Sequence, residues 1–110
     1  MPDTPPRFLR LLGLARRGGN TVLGAPLIFA ALRGGKRPPL VIAASDASDA
    51  TQKKLRTKCE FYRIPLCVSP YTKESLSHAV GKEAPIAAVA ILDAGLAEEL
   101  AKSSGKDATD

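Results

Sequence analysis

The sequence predicts an α/β protein, a three-layer α/β/α sandwich around a mixed sheet of about four strands. Two short runs, Leu40 to Ala44 and Ile86 to Leu92, are apolar on both faces, as strands must be when helices cover each side of their sheet. Segments with helical spacing alternate with these runs and with two briefer ones, the order expected of helices and strands that share one sheet. At 110 residues the chain makes one domain, able to bury about two thirds of the surface its unfolded form exposes.

Each element has a local reason. Thr4 is placed to cap a first helix with Pro5 at its opening position, and Phe8, Leu11, Leu12 and Ala15 share one face. Gly18 or Gly19 ends it. Thr21 to Leu23 is short and β-branched enough for a brief strand. Gly24 then serves as N-cap for a helix from Ala25 to Arg33, with Pro26 in the first turn, where its missing N–H breaks no bond. Gly34 and Gly35 stop that helix, and the breaker pair Pro38 and Pro39 precedes the Leu40 strand. Ser48 or Asp49 caps the next helix, with Gln52 spaced to close a capping box on Asp49. Its core face is Thr51, Leu55, Cys59 and Tyr62, so Lys53, Lys54, Arg56 and Lys58 project into solvent or onto a partner. Leu66 to Ser69 forms a short strand after Pro65, Thr72 caps a helix through Val80, and Gly81 supplies its stop. Pro85 introduces the Ile86 strand, and Asp93 caps a closing helix with Leu96 and Leu100 inward. The small polar residues from Lys102 predict a disordered tail over 102–110, behind a single domain over 1–101.

Composition narrows the class. Hydrophobic residues at 45% and charged residues at 25% match globular averages and argue against disorder. No apolar run approaches the ~20 residues of a membrane helix, and MPDTPPRF lacks the apolar stretch of a signal peptide. Cys59 and Cys67 fall on a helix and the strand after it, without CxxC or zinc-ligand spacing, and read as reduced core thiols of a cytoplasmic protein. Charge is distributed unevenly: residues 1–63 hold 12 Lys/Arg against 4 Asp/Glu, and residues 64–110 hold 4 against 7. That asymmetry points to a polyanionic partner for the amino-terminal part.

No catalytic constellation emerges. The one histidine, His78, lies on the exposed side of its helix and has no nucleophile at a fixed spacing. Asp46 and Asp49 flank a single loop, where a turn or a helix cap accounts for both. No cofactor, metal site or enzymatic activity is expected. Gly24 offers a helix amino terminus with free N–H groups suited to a phosphate or a nucleobase edge, although a plain strand-to-helix turn has the same sequence. The cations Arg16, Arg17, Lys53, Lys54 and Lys58 form one phosphate-facing patch if Gly18 to Gly24 doubles the chain back beside the loop after Ala44. Aromatic residues make up 5%, too few for a stacking platform, so a folded RNA fits better than an open strand.

The segments LLGLARRGGNTVLG, LVIAASDASDATQKKLRTKCEFYRIPL and SLSHAVGKEAPIAAVAIL occur in this order over residues 8–100. Together they resemble the bacterial YlxQ-like branch of the kink-turn-binding ribosomal protein superfamily, which contains large-subunit proteins seven-Ae and thirty-e. The resemblance implies an α/β/α sandwich with RNA bound at one rim by three loops. In kink-turn binders a G-T-N-E segment opens the second helix and reads sheared G·A pairs. Here Gly24 matches the glycine, while Ala25, Pro26 and Leu27 stand where the polar readers would, and Val22 and Leu23 replace the preceding lysines. The second loop is matched by Ala44, Ser45 and Asp46. The third, which holds an extruded nucleotide, is matched by Lys82, Glu83, Ala84 and Pro85. The resemblance thus implies RNA binding with changed specificity, assisted by Arg16, Arg17, Asn20 and the Lys53 to Lys58 helix. The implied partner is structured, ribosomal-type RNA, with a further protein in a ribonucleoprotein. Two alternatives stand beside it: a protein-interaction module using Pro26, Leu27 and Ile28, and a stand-alone relative of the substrate-binding domain of RNA ribose methyltransferases.

Overall fold

The computed structural model describes residues 6–109 and contains nine elements. They are α1 (Arg7–Arg17), β1 (Thr21–Leu23), α2 (Ala25–Arg33), β2 (Leu40–Ala43), α3 (Asp49–Tyr62), β3 (Leu66–Val68), α4 (Lys73–Ala79), β4 (Ala88–Ile91) and α5 (Ala94–Thr109). The strands form one mixed sheet in the order β1-β4-β2-β3. β4 pairs antiparallel with both β1 and β2, and β2 pairs parallel with β3. The last strand in the chain is therefore a central one.

Strand alternation divides the core in two. Leu40, Ile42, Val89 and Ile91 face α1, α4 and α5, where they meet Phe8, Leu12, Leu76 and Leu100. Val41, Ala43, Ala88 and Ala90 face α2 and α3, against Ile28, Leu32, Leu55 and Cys59. The small side chains that β4 presents on this second face let the two helices sit close to the sheet. Phe8 also stacks on Tyr71 at 5.4 Å between ring centroids, which ties α1 to the segment between β3 and α4.

The helix starts follow their local chemistry. Ser48 Oγ accepts from Thr51 N at 3.1 Å, Thr72 Oγ1 from Ser75 N at 3.1 Å, and Asp93 Oδ2 from Leu96 N at 2.8 Å. Two local expectations are revised. The capping box on Asp49 does not form: the cap is Ser48, which places Asp49 inside the first turn and Gln52 one position too late. Gln52 Nε2 instead donates back to the carbonyls of Ser45 and Ala47 at 3.4 and 3.1 Å. The α1 cap position is occupied by Pro6, and the proposed Thr4 and Pro5 start lies outside the described residues. The backbone of α5 runs on past Lys102 through Thr109, and Ser103 is buried. The sequence KSSGKDAT contains no proline to interrupt a helix already nucleated by packing.

Among the described residues, no helix is long and apolar enough to cross a membrane. Cys59 is buried, and burial among apolar neighbours raises its thiol above its ordinary 9.0. A raised thiol favours the neutral form in the folded state. Its contribution to stability is whole below pH 9 and is lost as pH climbs through the elevated folded value.

Two outcomes follow for the purified protein. Leu12→Ala empties a fully buried position and is expected to cost about 2–5 kcal/mol, whereas Leu14→Ala, at a half-exposed position on the same helix, costs well under about 1 kcal/mol; urea midpoints at unchanged slope measure both. At pH 7 iodoacetamide should leave Cys59 unmodified in the native protein and label it fully in urea, read by peptide mass. Fast native labelling would refute the buried, neutral thiol.

Candidate functional site

Four chain segments meet at one rim of the sheet, where β2 and β3 end, β1 ends and β4 begins. Two bonds fix the geometry. Gly24 N donates to Ala88 O at 2.9 Å, and Ala44 N donates to the adjacent Ala87 O at 2.8 Å. The turn into α2 and the turn out of β2 thus flank the same dipeptide, immediately after the Lys82 to Pro85 loop. The three loops matched from sequence do share one rim.

The β2–α3 loop is held further by its neighbours. Ser45 N donates to Tyr71 O at 2.8 Å, and the buried Ser69 hydroxyl donates to Ala43 O at 3.0 Å. Asp46 Oδ1 accepts from Lys73 N at 2.7 Å, at the first residue of α4. This carboxylate therefore caps a neighbouring helix, at its positive end. Sequence spacing gave no sign of that cross-loop cap.

Gly24 has φ 93° and ψ 142°, a backbone conformation open to glycine and strained for other residues. It provides no side chain to cap α2. With Pro26 contributing no N–H, Ala25 and Leu27 carry the leading donors of the helix without a side-chain cap. Ala25 and Ala44 are buried, so their side chains present no surface at this rim. Pro26 and Leu27 are exposed beside them, and so are Ser45, Asp46 and the whole loop of Lys82, Glu83, Ala84 and Pro85. Ile28, grouped with Pro26 and Leu27 as an interaction surface, is fully buried under α2 and leaves that set. Ala25, Ile28, Phe29 and Leu32 follow the inward stripe of the helix, and Leu27 lies off it.

The cations divide by face and by rim. Lys53 and Lys54 lie in the first turns of α3, which starts at the loop rim. Lys54 Nζ sits 4.9 Å from the centre of the Phe29 ring, across a hollow of about 440 Å³ between α2 and α3 that Pro26 and Arg33 also line. Lys58 is one turn farther from the rim and half-buried. Arg16, Arg17 and Asn20 are at the other rim: Asn20 O accepts from Leu92 N at 2.8 Å, about 13 Å along β4 from Ala88. The single patch expected from sequence is therefore corrected. Gly18 to Gly24 does not double back, because β1 crosses the sheet from one rim to the other and leaves the arginines behind it. α1 and α3 also cover opposite faces. Arg17 turns toward a hollow between α1 and α4 that His78 lines, whereas Arg16 and Lys82 line one groove along β1. His78 is exposed, as its helical position predicts, and the described residues contain no His/Cys/Asp/Glu group able to hold a metal.

Known proteins are similar to this chain. Over 90 residues the chain is 38% identical to the RNA-binding protein YlxQ of Bacillus subtilis (strain 168), covering 82% of this chain and 87% of that one. It is 33% identical over 93 residues to the RNA-binding protein YlxQ of Enterococcus faecium, with coverage of 84% and 86%. A solved protein of unknown function from Bacillus halodurans C superposes with a TM-score of 0.82 at 35% identity, over 92% of this chain and 99% of that one. The Giardia lamblia 15.5kD RNA binding protein shares the fold, with a TM-score of 0.71 at 22% identity over 99% and 94% of the two chains. The model of the ribosomal protein L7Ae/L30e/S12e/Gadd45 family matches residues 7–101, and with these relatives it shows that the chain belongs to that family.

Proposed function

We propose that this protein binds structured RNA, of kink-turn-like form and ribosomal type, at the rim where its three loops meet, and that it acts by binding without catalysis. The observation that carries the reading is the pair of bonds to Ala87 and Ala88, which brings the uncapped start of α2 beside the Ala44 to Asp46 turn and the Lys82 to Pro85 loop. The names of the YlxQ relatives support the ligand class. In this reading Ala25 and Leu27 offer backbone N–H groups to a phosphate or base edge. Pro26 and Leu27 give the apolar contact that replaces polar readers, and Lys53, Lys54 and Lys82 neutralise phosphate. Reduced thiols at Cys59 and Cys67 suit a cytoplasmic setting. Such a module would work inside a ribonucleoprotein, where a protein partner is a natural neighbour.

The three-loop geometry makes discrimination testable. The protein is titrated with a kink-turn RNA, the same RNA lacking its G·A pairs, and an unrelated duplex, each at two salt concentrations. Binding at least tenfold tighter to the intact kink turn is expected; equal, salt-sensitive binding to all three would reduce the protein to a backbone binder. In the K53E/K54E variant affinity should fall for every RNA, and the slope of log affinity against log salt should flatten by about 1 per lost phosphate contact. Unchanged affinity at low salt would remove α3 from the interface.

A second substitution probes the turn itself. Gly24→Ala meets no crowding, since an added methyl has only Pro26 Cδ near it, at 3.9 Å, but it must hold φ 93°. It is expected to destabilise the fold by about 1–3 kcal/mol and to weaken kink-turn binding more than tenfold at a temperature where circular dichroism shows the variant folded. Full affinity in the folded variant would mean that the start of α2 does not touch RNA.

A further inference from the structure

β1 forms one edge of the sheet, and only one of its sides is paired. Gly24 N bonds to β4 at Ala88, and Asn20 O accepts from Leu92, the residue just past β4. In an antiparallel ladder alternate residues turn their backbone groups to the same partner, so Asn20, Val22 and Gly24 face β4. Thr21 and Leu23 consequently direct an N–H and a C=O each outward. These groups border a groove of about 660 Å³ between β1 and the flank of α2. Leu27, 60% exposed, and the small side chains of Ala30 and Ala31 make its apolar wall. Lys82 stands among its lining residues together with Arg16 and Lys36, and no acidic residue does. Among the described residues the one ion pair is Arg7 with Glu99, so none of these three cations is neutralised by a carboxylate.

We infer that this edge is a docking site for an extended, acidic segment of a partner protein, which adds to the sheet as a strand beside β1. The chemistry of each part specifies the occupant. Outward backbone groups at two alternate positions match a β-strand and supply four main-chain hydrogen bonds. The apolar wall takes every second side chain of that strand. Cations with no ion pair among the described residues select carboxylates flanking it, and the same charges repel a basic segment. A folded RNA has no backbone amides to pair with Thr21 and Leu23. This surface therefore goes beyond the loop rim assigned to RNA, although Lys82 borders both.

The experiment uses the capped heptapeptide DEVTVDE and its basic counterpart KKVTVKK, with the whole protein labelled for amide hydrogen exchange by NMR. DEVTVDE is expected to bind, to slow exchange at Thr21 and Leu23 at least tenfold at saturation, and to bind at least tenfold more tightly than KKVTVKK. Leu23→Pro removes an outward N–H while leaving the β4 bonds in place, as proline on an edge strand can, and should lower affinity at least tenfold. If Leu23→Pro does not fold, Thr21→Pro and the R16E/K36E double variant make the same test, the latter by exchanging the preference between the two peptides. Unslowed exchange at Thr21 and Leu23, equal binding of the two peptides, or unchanged affinity in the folded variants would overturn strand addition. Slowing of these amides by kink-turn RNA with none by peptide would overturn it too, and would give the groove to RNA.

Discussion

Two neighbouring carbonyls at the entrance to β4 hold the rim in register. Ala88 O takes the Gly24 amide and Ala87 O takes the Ala44 amide, so loops from opposite sides of the strand are fixed to one dipeptide. A slip of one residue would do more than move a loop. It would turn Val89 and Ile91 onto the face where Ala88 and Ala90 let α2 and α3 sit close, and both layers would lose their fit. Packing on the two faces therefore enforces the bonds at the rim. Outward from them the Ser45 to Tyr71 and Asp46 to Lys73 bonds extend the same rigidity to the start of α4. The loop rim gains its shape here from the least adjustable strand of the sheet.

Much of this was legible because the relevant physics is short-ranged. The fully apolar Leu40 and Ile86 runs, the Gly24 start, the Thr72 and Asp93 caps and the Gly81 stop each depend on residues within a few positions of one another. The strands come out shorter than the apolar runs, since Ala44, Ile86 and Leu92 extend past their ladder partners while staying buried or half-buried. The loops matched by family resemblance also meet, because strand order determines their rim. What local spacing does not contain is the direction in which β1 crosses the sheet. That direction is set by the bond between Asn20 and Leu92, 72 positions apart in sequence, and it sent Arg16 and Arg17 to the far rim. The Lys54 contact with Phe29 needed tertiary packing of two helices. Ile28 was different: the inward spacing of Ala25, Ile28, Phe29 and Leu32 already assigned it to the core.

Dividing the cations alters what the net charge of +5 does. α1 and α3 carry their basic residues on opposite faces of the sheet, so no single contact surface gathers them all. Beyond roughly a Debye length, about 8–10 Å at physiological salt, their fields are strongly screened and act chiefly to bias encounter with polyanions. At contact only a few local charges matter. Lys54 borders the hollow between α2 and α3, while Arg16, Lys36 and Lys82 line the groove along β1.

The order of the sheet also has a consequence for synthesis. β4 is the last made of the four strands described, yet it is the antiparallel partner of both β1 and β2. While the chain emerges from a ribosome, the β2–β3 pair is the only ladder of this sheet that can form before residue 88. β1 waits for a partner some 68 residues downstream, Thr21 for Ile91 being 70 positions apart. At translation rates of about 5–20 residues per second, that delay is on the order of 3–14 seconds. During it the apolar faces of β1 and β2 lack their native cover, in a topology whose long-range closure is intrinsically slow. The β1 and β2 ladders of such a nascent chain wait on β4, and any pause before β4 prolongs the interval in which chaperones or aggregation can claim it.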